Sequence, residues 1–160
     1  MIAAATDRRR LALALMLAAS GIGDVAGGLW AVFDWQGVSA FMAGSIPDWN
    51  AVGRAARHGL EDAALRQLWA NLGTALVALG ATQLVAAWWV RCGHAEGMAL
   101  ARLVGAALVL AGLLMAGPGG QVSSLATEAA RGVLILGLAA WATSGDGLAR
   151  DAPEGPKSRG

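Results

Sequence analysis

Charged side chains are scarce in this chain, and cysteine is nearly absent. Only 14% of its 160 residues are charged while 56% are hydrophobic, and the formal net charge is only +1. A soluble domain of this size needs more charge to cover its surface, and a nucleic-acid-binding domain needs a basic excess. The single cysteine, Cys92, excludes an internal disulfide and a Cys-x-x-Cys motif. The composition therefore predicts the lipid bilayer as the partner and argues against nucleic acid.

Signatures of catalysis and metal binding are also missing. The chain has no G-x-S-x-G nucleophile motif and no phosphate-binding loop, so nothing in it favours an enzyme. His58 and His94 lie outside the apolar segments, which argues against a haem held by two histidines of one chain. Cys92 and His94 are only a pair, too few ligands for a metal site. We therefore predict no catalytic residue, no metal and no cofactor, with a bound quinone kept as an open alternative.

Four apolar segments are each long enough to cross a bilayer, whose hydrocarbon core of about 30 Å needs about 20 helical residues. They cover residues 11–33, 68–90, 98–117 and 122–142. We therefore predict an all-α, integral membrane four-helix bundle over residues 11–143. A basic cytoplasmic N-terminus at 1–10 precedes it, and a disordered cytoplasmic tail rich in Gly, Pro and charge follows at 144–160.

The first apolar segment also fits a cleaved signal peptide. Arg8 to Arg10 form a basic region ahead of an apolar core, and small residues follow from Ser20. Apolar character resumes over residues 25–33, which gives the segment its full spanning length. We favour a retained helix and keep the signal peptide as the alternative.

Basic residues and tryptophans give the same orientation for the predicted bundle. Lys and Arg accumulate on the cytoplasmic side of membranes, and only Arg54, Arg57 and Arg66 fall on the other side if the N-terminus is inside. Tryptophans favour the two interfaces: they are Trp30, Trp35, Trp49 and Trp69 at the outer boundary and Trp88, Trp89 and Trp141 at the inner one. We therefore predict an inner (plasma) membrane protein with both termini in the cytoplasm.

The outer loop at residues 34–67 carries a helical pattern of its own. Asp48 and Asn50 are good helix caps, and apolar residues recur at helical spacing from Trp49 to Leu60. The pattern predicts a short amphipathic helix on the outer membrane surface between the first and second spans.

Three ionisable residues lie inside the apolar segments: Asp24 in the first, and Glu128 and Arg131 in the fourth. Each costs roughly 2.5–3.5 kcal/mol to insert, so such residues usually face the protein interior and find partners. At about 1.5 Å per residue, Asp24 and Arg131 both lie roughly 13 Å from the outer boundary, with Glu128 about one turn shallower. We therefore predict that both acids approach Arg131.

Polar residues on two helix faces extend this candidate site. The additional site residues are Ser124, Thr127, Asn71 and Thr74. One hypothesis is a polar cavity reached from outside, in which Arg131 holds an anionic or carbonyl-bearing ligand and a carboxylate carries a proton. The other is a structural ion-pair lock that fixes the register of the helices.

Gly23 and Gly27 form a G-x-x-x-G motif, which lets a neighbouring helix approach closely. We predict that these glycines pack inside the bundle, with homodimerisation as the alternative. A second copy or a larger membrane complex therefore stays open as a partner.

The overall pattern resembles that of the small four-helix bacterial membrane proteins of the DoxX-like type. The features that carry the resemblance are the basic N-terminus, the Gly-rich first span, the long outer segment and the charged lead into LRQLWANLGTALVALGATQLVAAWW. The resemblance implies a membrane location, and for some members a link to quinone or redox metabolism. We therefore expect an accessory or ligand-binding membrane subunit, with a proton-coupled transporter and a quinone-associated redox subunit as alternatives.

Overall fold

A computed structural model describes residues 2–45, 62–115 and 122–150. These residues form five helices: α1 (Ile2–Phe33), α2 (Trp35–Ser45), α3 (Asp62–Cys92), α4 (Ala95–Met115) and α5 (Val122–Arg150). No strand occurs in these ranges, so the all-α prediction is confirmed. Each of the four longer helices packs mainly against two of the other three, in the cyclic order α1, α3, α4, α5.

Within the described ranges, three helices are long and apolar enough to cross a membrane. Their apolar stretches are Asp7–Phe33 in α1, Arg66–Cys92 in α3 and Ala95–Leu113 in α4. The fourth predicted span, 122–142, lies in α5, where Glu128 and Arg131 interrupt the apolar sequence. The structure therefore supports a transmembrane protein, and the predicted four-helix bundle is wrong: five helices are described, and only three have the apolarity of a span.

The short helix α2 lies in the predicted outer loop, and a capping residue precedes its first turn. Asp34 ends α1 and accepts a hydrogen bond at Oδ1 from the backbone N–H of Gly37 over 3.0 Å, as an N-cap does. Val38 of α2 is buried with Ala31 of α1 and Trp69 of α3. The helix therefore turns back over the ends of α1 and α3, whereas the predicted amphipathic helix, at 48–60, lies outside the described residues.

Two further boundaries differ from prediction. Helix α3 begins at Asp62, inside the predicted outer loop, and α5 continues to Arg150, inside the predicted disordered tail. At the start of that tail, the Ser144 hydroxyl donates to Trp141 O over 2.8 Å, and Arg9 of α1 donates to both residues. Helix α5 thus covers residues 144–150 of the predicted tail, while 151–160 lie outside the described residues.

Close helix contacts are made at glycines other than the predicted pair. A Cβ atom at Gly21 would lie 2.7 Å from Gly80 O, and one at Gly28 would lie 2.5 Å from Gly73 O. These two pairs let the backbones of antiparallel α1 and α3 touch. At Gly23 and Gly27 a Cβ would meet no described atom within 4 Å, so the packing predicted for that pair is not observed among the described residues.

The largest buried apolar cluster lies away from the end of the helices that α2 covers. Leu13 and Leu17 of α1 are fully buried against Val90 of α3, Leu108 of α4 and Ile135 of α5. At about 25 cal/mol per Å² of buried apolar surface, side chains of this size each stabilise the packed state by about 2 kcal/mol in water. In lipid the stabilisation from apolar burial is smaller, because the surroundings are as apolar as the core. Close packing at the glycines then contributes a larger share of the stability.

Candidate functional site

An arginine joins two carboxylates where α1 meets α5. Arg131 Nη1 donates to Asp24 Oδ1 over 2.7 Å, and its Nη2 donates to Glu128 Oε2 over 2.6 Å. The Asp24 side chain is 7% exposed, that of Arg131 19% and that of Glu128 29%. The structure therefore brings together the three ionisable residues as expected, with Asp24 the innermost and Glu128 the most accessible.

A buried glutamine completes the coordination of Asp24. Gln83 of α3 is fully buried, and its Nε2 donates to Asp24 Oδ2 over 2.6 Å. Both oxygens of Asp24 thus hold a donor, one from α3 and one from α5. We call Asp24, Gln83, Glu128 and Arg131 the polar cluster. It links α1, α3 and α5 through one carboxylate.

The glycine contacts explain how Gln83 reaches Asp24. Gly21 and Gly80 bring α1 and α3 together beside the cluster, and a Cβ at Gly21 would lie 3.1 Å from the Gln83 Cβ. A larger residue at either glycine would separate the helices and withdraw the carboxamide. The same backbone contact that packs the two helices therefore also sets the length of the Gln83 to Asp24 hydrogen bond.

Sequence analysis missed Gln83, although its signal was present. Gly80, Gln83 and Ala87 step by three and four residues, which places Gln83 on the small-residue face that packs against α1. The predicted site residues of α3, Asn71 and Thr74, lie instead on a neighbouring polar stripe. A polar residue on a small-residue face is the better indicator of a buried hydrogen bond, because only that face meets another helix.

Two of the other predicted site residues, Asn71 and Thr74, bond within α3 and not to the polar cluster. Asn71 is exposed and accepts from Gln67 Nε2 over 2.8 Å, while exposed Thr74 donates to Ala70 O over 2.8 Å. Both therefore bond within their own helix. Thr127 is exposed on α5, and the Ser124 side chain lies outside the described residues.

No family model, curated protein or solved structure matches this chain. The resemblance to DoxX-like proteins therefore stays an expectation.

Three buried polar atoms around Asp24 have no hydrogen-bond partner among the described residues: Ser20 Oγ, Gln83 Oε1 and Arg131 Nε. Ser20 is one helical turn from Asp24, and the other two atoms belong to its direct partners. A hydroxyl both donates and accepts, a carboxamide oxygen accepts, and the guanidinium Nε–H donates. Leaving such a group unpaired costs about 1–3 kcal/mol. The cluster therefore offers unused donors and acceptors from three helices.

The charges of the cluster do not balance. Two carboxylates share one guanidinium, so the ionised cluster carries an excess of one negative charge. Both terminal nitrogens of Arg131 already bond to carboxylates of the chain. The Nε–H of Arg131 remains open to a further acceptor, but an anionic ligand there would add charge of the same sign as the excess. A proton or another electropositive group would instead neutralise the excess in a medium that stabilises charge poorly.

Proposed function

We propose that this chain is a small multi-pass protein of the inner membrane in which α5 crosses the bilayer beside α1, α3 and α4. The two charges of α5 that lower its apolarity pair with each other and with Asp24. Farther along, Val133 and Leu134 are apolar and at least half exposed, as on a lipid-facing surface. Helix α1 supplies Leu13 and Leu17 to the core and Asp24 to the cluster, which favours a retained helix over a cleaved signal peptide.

Cysteine accessibility tests this topology with a residue that the chain already carries. Cys92 is exposed at the end of α3 that we assign to the cytoplasm. An impermeant maleimide should leave it unlabelled in intact cells and label it in inverted vesicles. In a Cys92→Ser background, single cysteines at Gly120 and Ser144 should show opposite accessibility if α5 spans. Equal accessibility at these two positions would contradict the proposal.

Within this topology, we propose that the polar cluster is a proton-binding site of an accessory or ligand-binding membrane subunit. The observation that carries this proposal is the excess negative charge on Asp24 and Glu128 around a guanidinium already bonded to both. One proton on either acid makes the cluster neutral. The unpaired atoms of Ser20 and Gln83 can then accept or donate to a small neutral ligand beside it.

Infrared difference spectroscopy tests the proton. Protein in lipid is titrated, and the carbonyl stretch of a protonated carboxylic acid is followed together with its shift in D2O. We expect a titrating band that disappears in Glu128→Gln or in Asp24→Asn. The matched control is Asp34→Asn, which alters a carboxylate outside the cluster. A titrating band that persists in both cluster variants, or no titrating band at all, would refute the proposed proton site.

The exposure gradient within the cluster supports a second candidate function, proton-coupled transport. Asp24 is nearly inaccessible while Glu128 is partly open, and Arg131 bonds to both. Because both acids bond to Arg131, a proton taken up at the accessible Glu128 can pass to the buried Asp24. In proteoliposomes, Glu128→Gln should then abolish a proton-coupled flux with folding intact, whereas a binding subunit shows no flux in the wild type.

A further inference from the structure

A cavity of about 250 Å³ lies at the opposite end of the helices from α2. Its lining comes from every long helix and includes Arg10 of α1, Val90 of α3, His94 of the following turn, Met98 of α4 and Thr143 of α5. The lining is thus part cationic and hydrogen-bonding, and part apolar. Such a lining suits an amphiphile with a charged group next to an apolar one.

A tight turn shapes one wall of this cavity. Gly93 has a φ of +80°, and the N–H groups of Gly93 and His94 donate to Val90 O and Trp89 O. This pattern closes the end of α3 and reverses the chain directly into α4. The turn presents His94 and the first residue of α4, Ala95, to the cavity. The N-terminal end of a helix carries partial positive charge, which adds to the cationic character there.

Arginines surround the cavity. Arg102 Nη2 donates to the cavity residue Thr143 over 3.2 Å, and Arg9 donates to the neighbouring Ser144 over 3.3 Å. Arg91 also lies at this end, 3.9 Å from Asp7 in an exposed ion pair. We call Arg9, Arg10, Arg91 and Arg102 the basic ring. Among the described side chains nearby, only Asp7 and Glu96 are acidic, so the ring keeps a positive excess.

Tryptophans place the same end at a membrane interface. Trp88 is 68% exposed, and Trp89 and Trp141 are also exposed near the ring. Arg9 stacks over the Trp141 ring at 5.1 Å from its centroid. Exposed tryptophans are typical of the headgroup level of a bilayer. A cationic cavity at that level meets lipid headgroups before it meets any other amphiphile.

We propose that this cavity binds the phosphate headgroup of an anionic membrane lipid. Arg10 contacts the phosphate, the remaining ring provides long-range attraction, and Val90 and Met98 face the first apolar atoms of the lipid. The proposal rests on the membrane location of the protein and is independent of the polar cluster. An apolar floor beside the cationic rim favours a lipid over free phosphate, which has no apolar part to bury.

Lipid titration of the full chain in detergent tests this proposal, with binding read by native mass spectrometry. We expect phosphatidylglycerol to bind at least about fivefold more tightly than phosphatidylcholine, since a basic residue near an anionic lipid contributes about that factor. Arg10→Gln should weaken phosphatidylglycerol binding about fivefold and leave phosphatidylcholine unchanged. The matched control is Arg66→Gln, at the exposed opposite end of α3, which should change neither.

Two additional arms keep the proposal falsifiable. Ala95→Leu fills part of the cavity without changing any charge, and it should reduce the preference for phosphatidylglycerol even if Arg10→Gln fails to fold. Inorganic phosphate at equal concentration should not displace the lipid. The proposal is overturned by equal binding of the two lipids, by an unchanged preference in Ala95→Leu, by equal effects of Arg10→Gln and Arg66→Gln, or by full displacement with inorganic phosphate.

Discussion

Gln83 Nε2 of α3 lies 2.6 Å from Asp24 Oδ2 of α1 and donates a hydrogen bond to it. Because Arg131 donates to Oδ1, each oxygen of the Asp24 carboxylate accepts from one donor. The contact depends on the Gly21 to Gly80 approach, which shortens the distance between the two helices. Packing and polar chemistry are therefore coupled at this level of the protein. A change in either should be measurable in the other.

Replacing Gln83 with leucine should destabilise the protein by about 1–3 kcal/mol, because Asp24 Oδ2 then loses its buried donor. Leucine is close to glutamine in size, so little of the effect comes from lost packing. The measurement is reversible unfolding in lipid or detergent. The matched control is Gln67→Leu, whose partner Asn71 is on the same exposed helix face. Equal stability of the two variants would show that the Gln83 bond contributes nothing particular.

Replacing Gly80 with alanine should push α1 and α3 apart, because its Cβ would lie 2.6 Å from Gly21 O. Overpacking of this kind costs about 1–3 kcal/mol. The separation should also weaken the Gln83 to Asp24 bond, so in double-mutant cycles Gly80→Ala and Gln83→Leu should not be additive. The control is Gly137→Ala on α5, where a Cβ meets nothing within 4 Å. We expect that variant to be neutral or more stable, since alanine is the better helix former. Additive effects of the first pair would disprove the coupling.

Substituting Asp34 tests the cap that starts α2. Asp34→Ala removes the acceptor for the Gly37 N–H and for the Trp30 indole N–H, which donates to Asp34 Oδ2 over 3.1 Å. We expect a loss of about 1 kcal/mol and a change in tryptophan fluorescence. Asp34→Asn keeps a capping side chain and should retain most of the stability. If Asp34→Asn loses as much stability as Asp34→Ala, the charge of Asp34 matters and its capping bond does not.

Much of the site was predictable, because insertion into lipid restricts where charge can go. Asp24 and Arg131 were placed at equal depth from helix rise alone, and the structure joins them. Glu128 followed from its three-residue spacing to Arg131. These predictions need only the depth of a residue in the membrane and its spacing along a helix, and both follow directly from the sequence.

Other features could not be read from the sequence because they depend on which helix faces meet. The glycine pairs Gly21 with Gly80 and Gly28 with Gly73 are 59 and 45 residues apart, and nothing local marks them as partners. The G-x-x-x-G motif at Gly23 and Gly27 was a local match on the opposite, open face. Helix α2 was not predicted, because the outer-loop prediction rested on the pattern from Trp49 to Leu60, whereas a cap at Asp34 starts a helix at Trp35.

We propose that the polar cluster exchanges a proton and is not a fixed charge lock, and the stability of Arg131→Met in a bilayer decides between these two roles. If the acids exchange protons, both become neutral when the guanidinium is removed, and we predict a loss below about 1 kcal/mol. A charge lock would leave buried carboxylates unpaired at a cost of about 3–5 kcal/mol. In that case the triple variant Asp24→Asn, Glu128→Gln, Arg131→Met should recover wild-type stability. A severe loss in Arg131→Met together with that recovery would contradict the account.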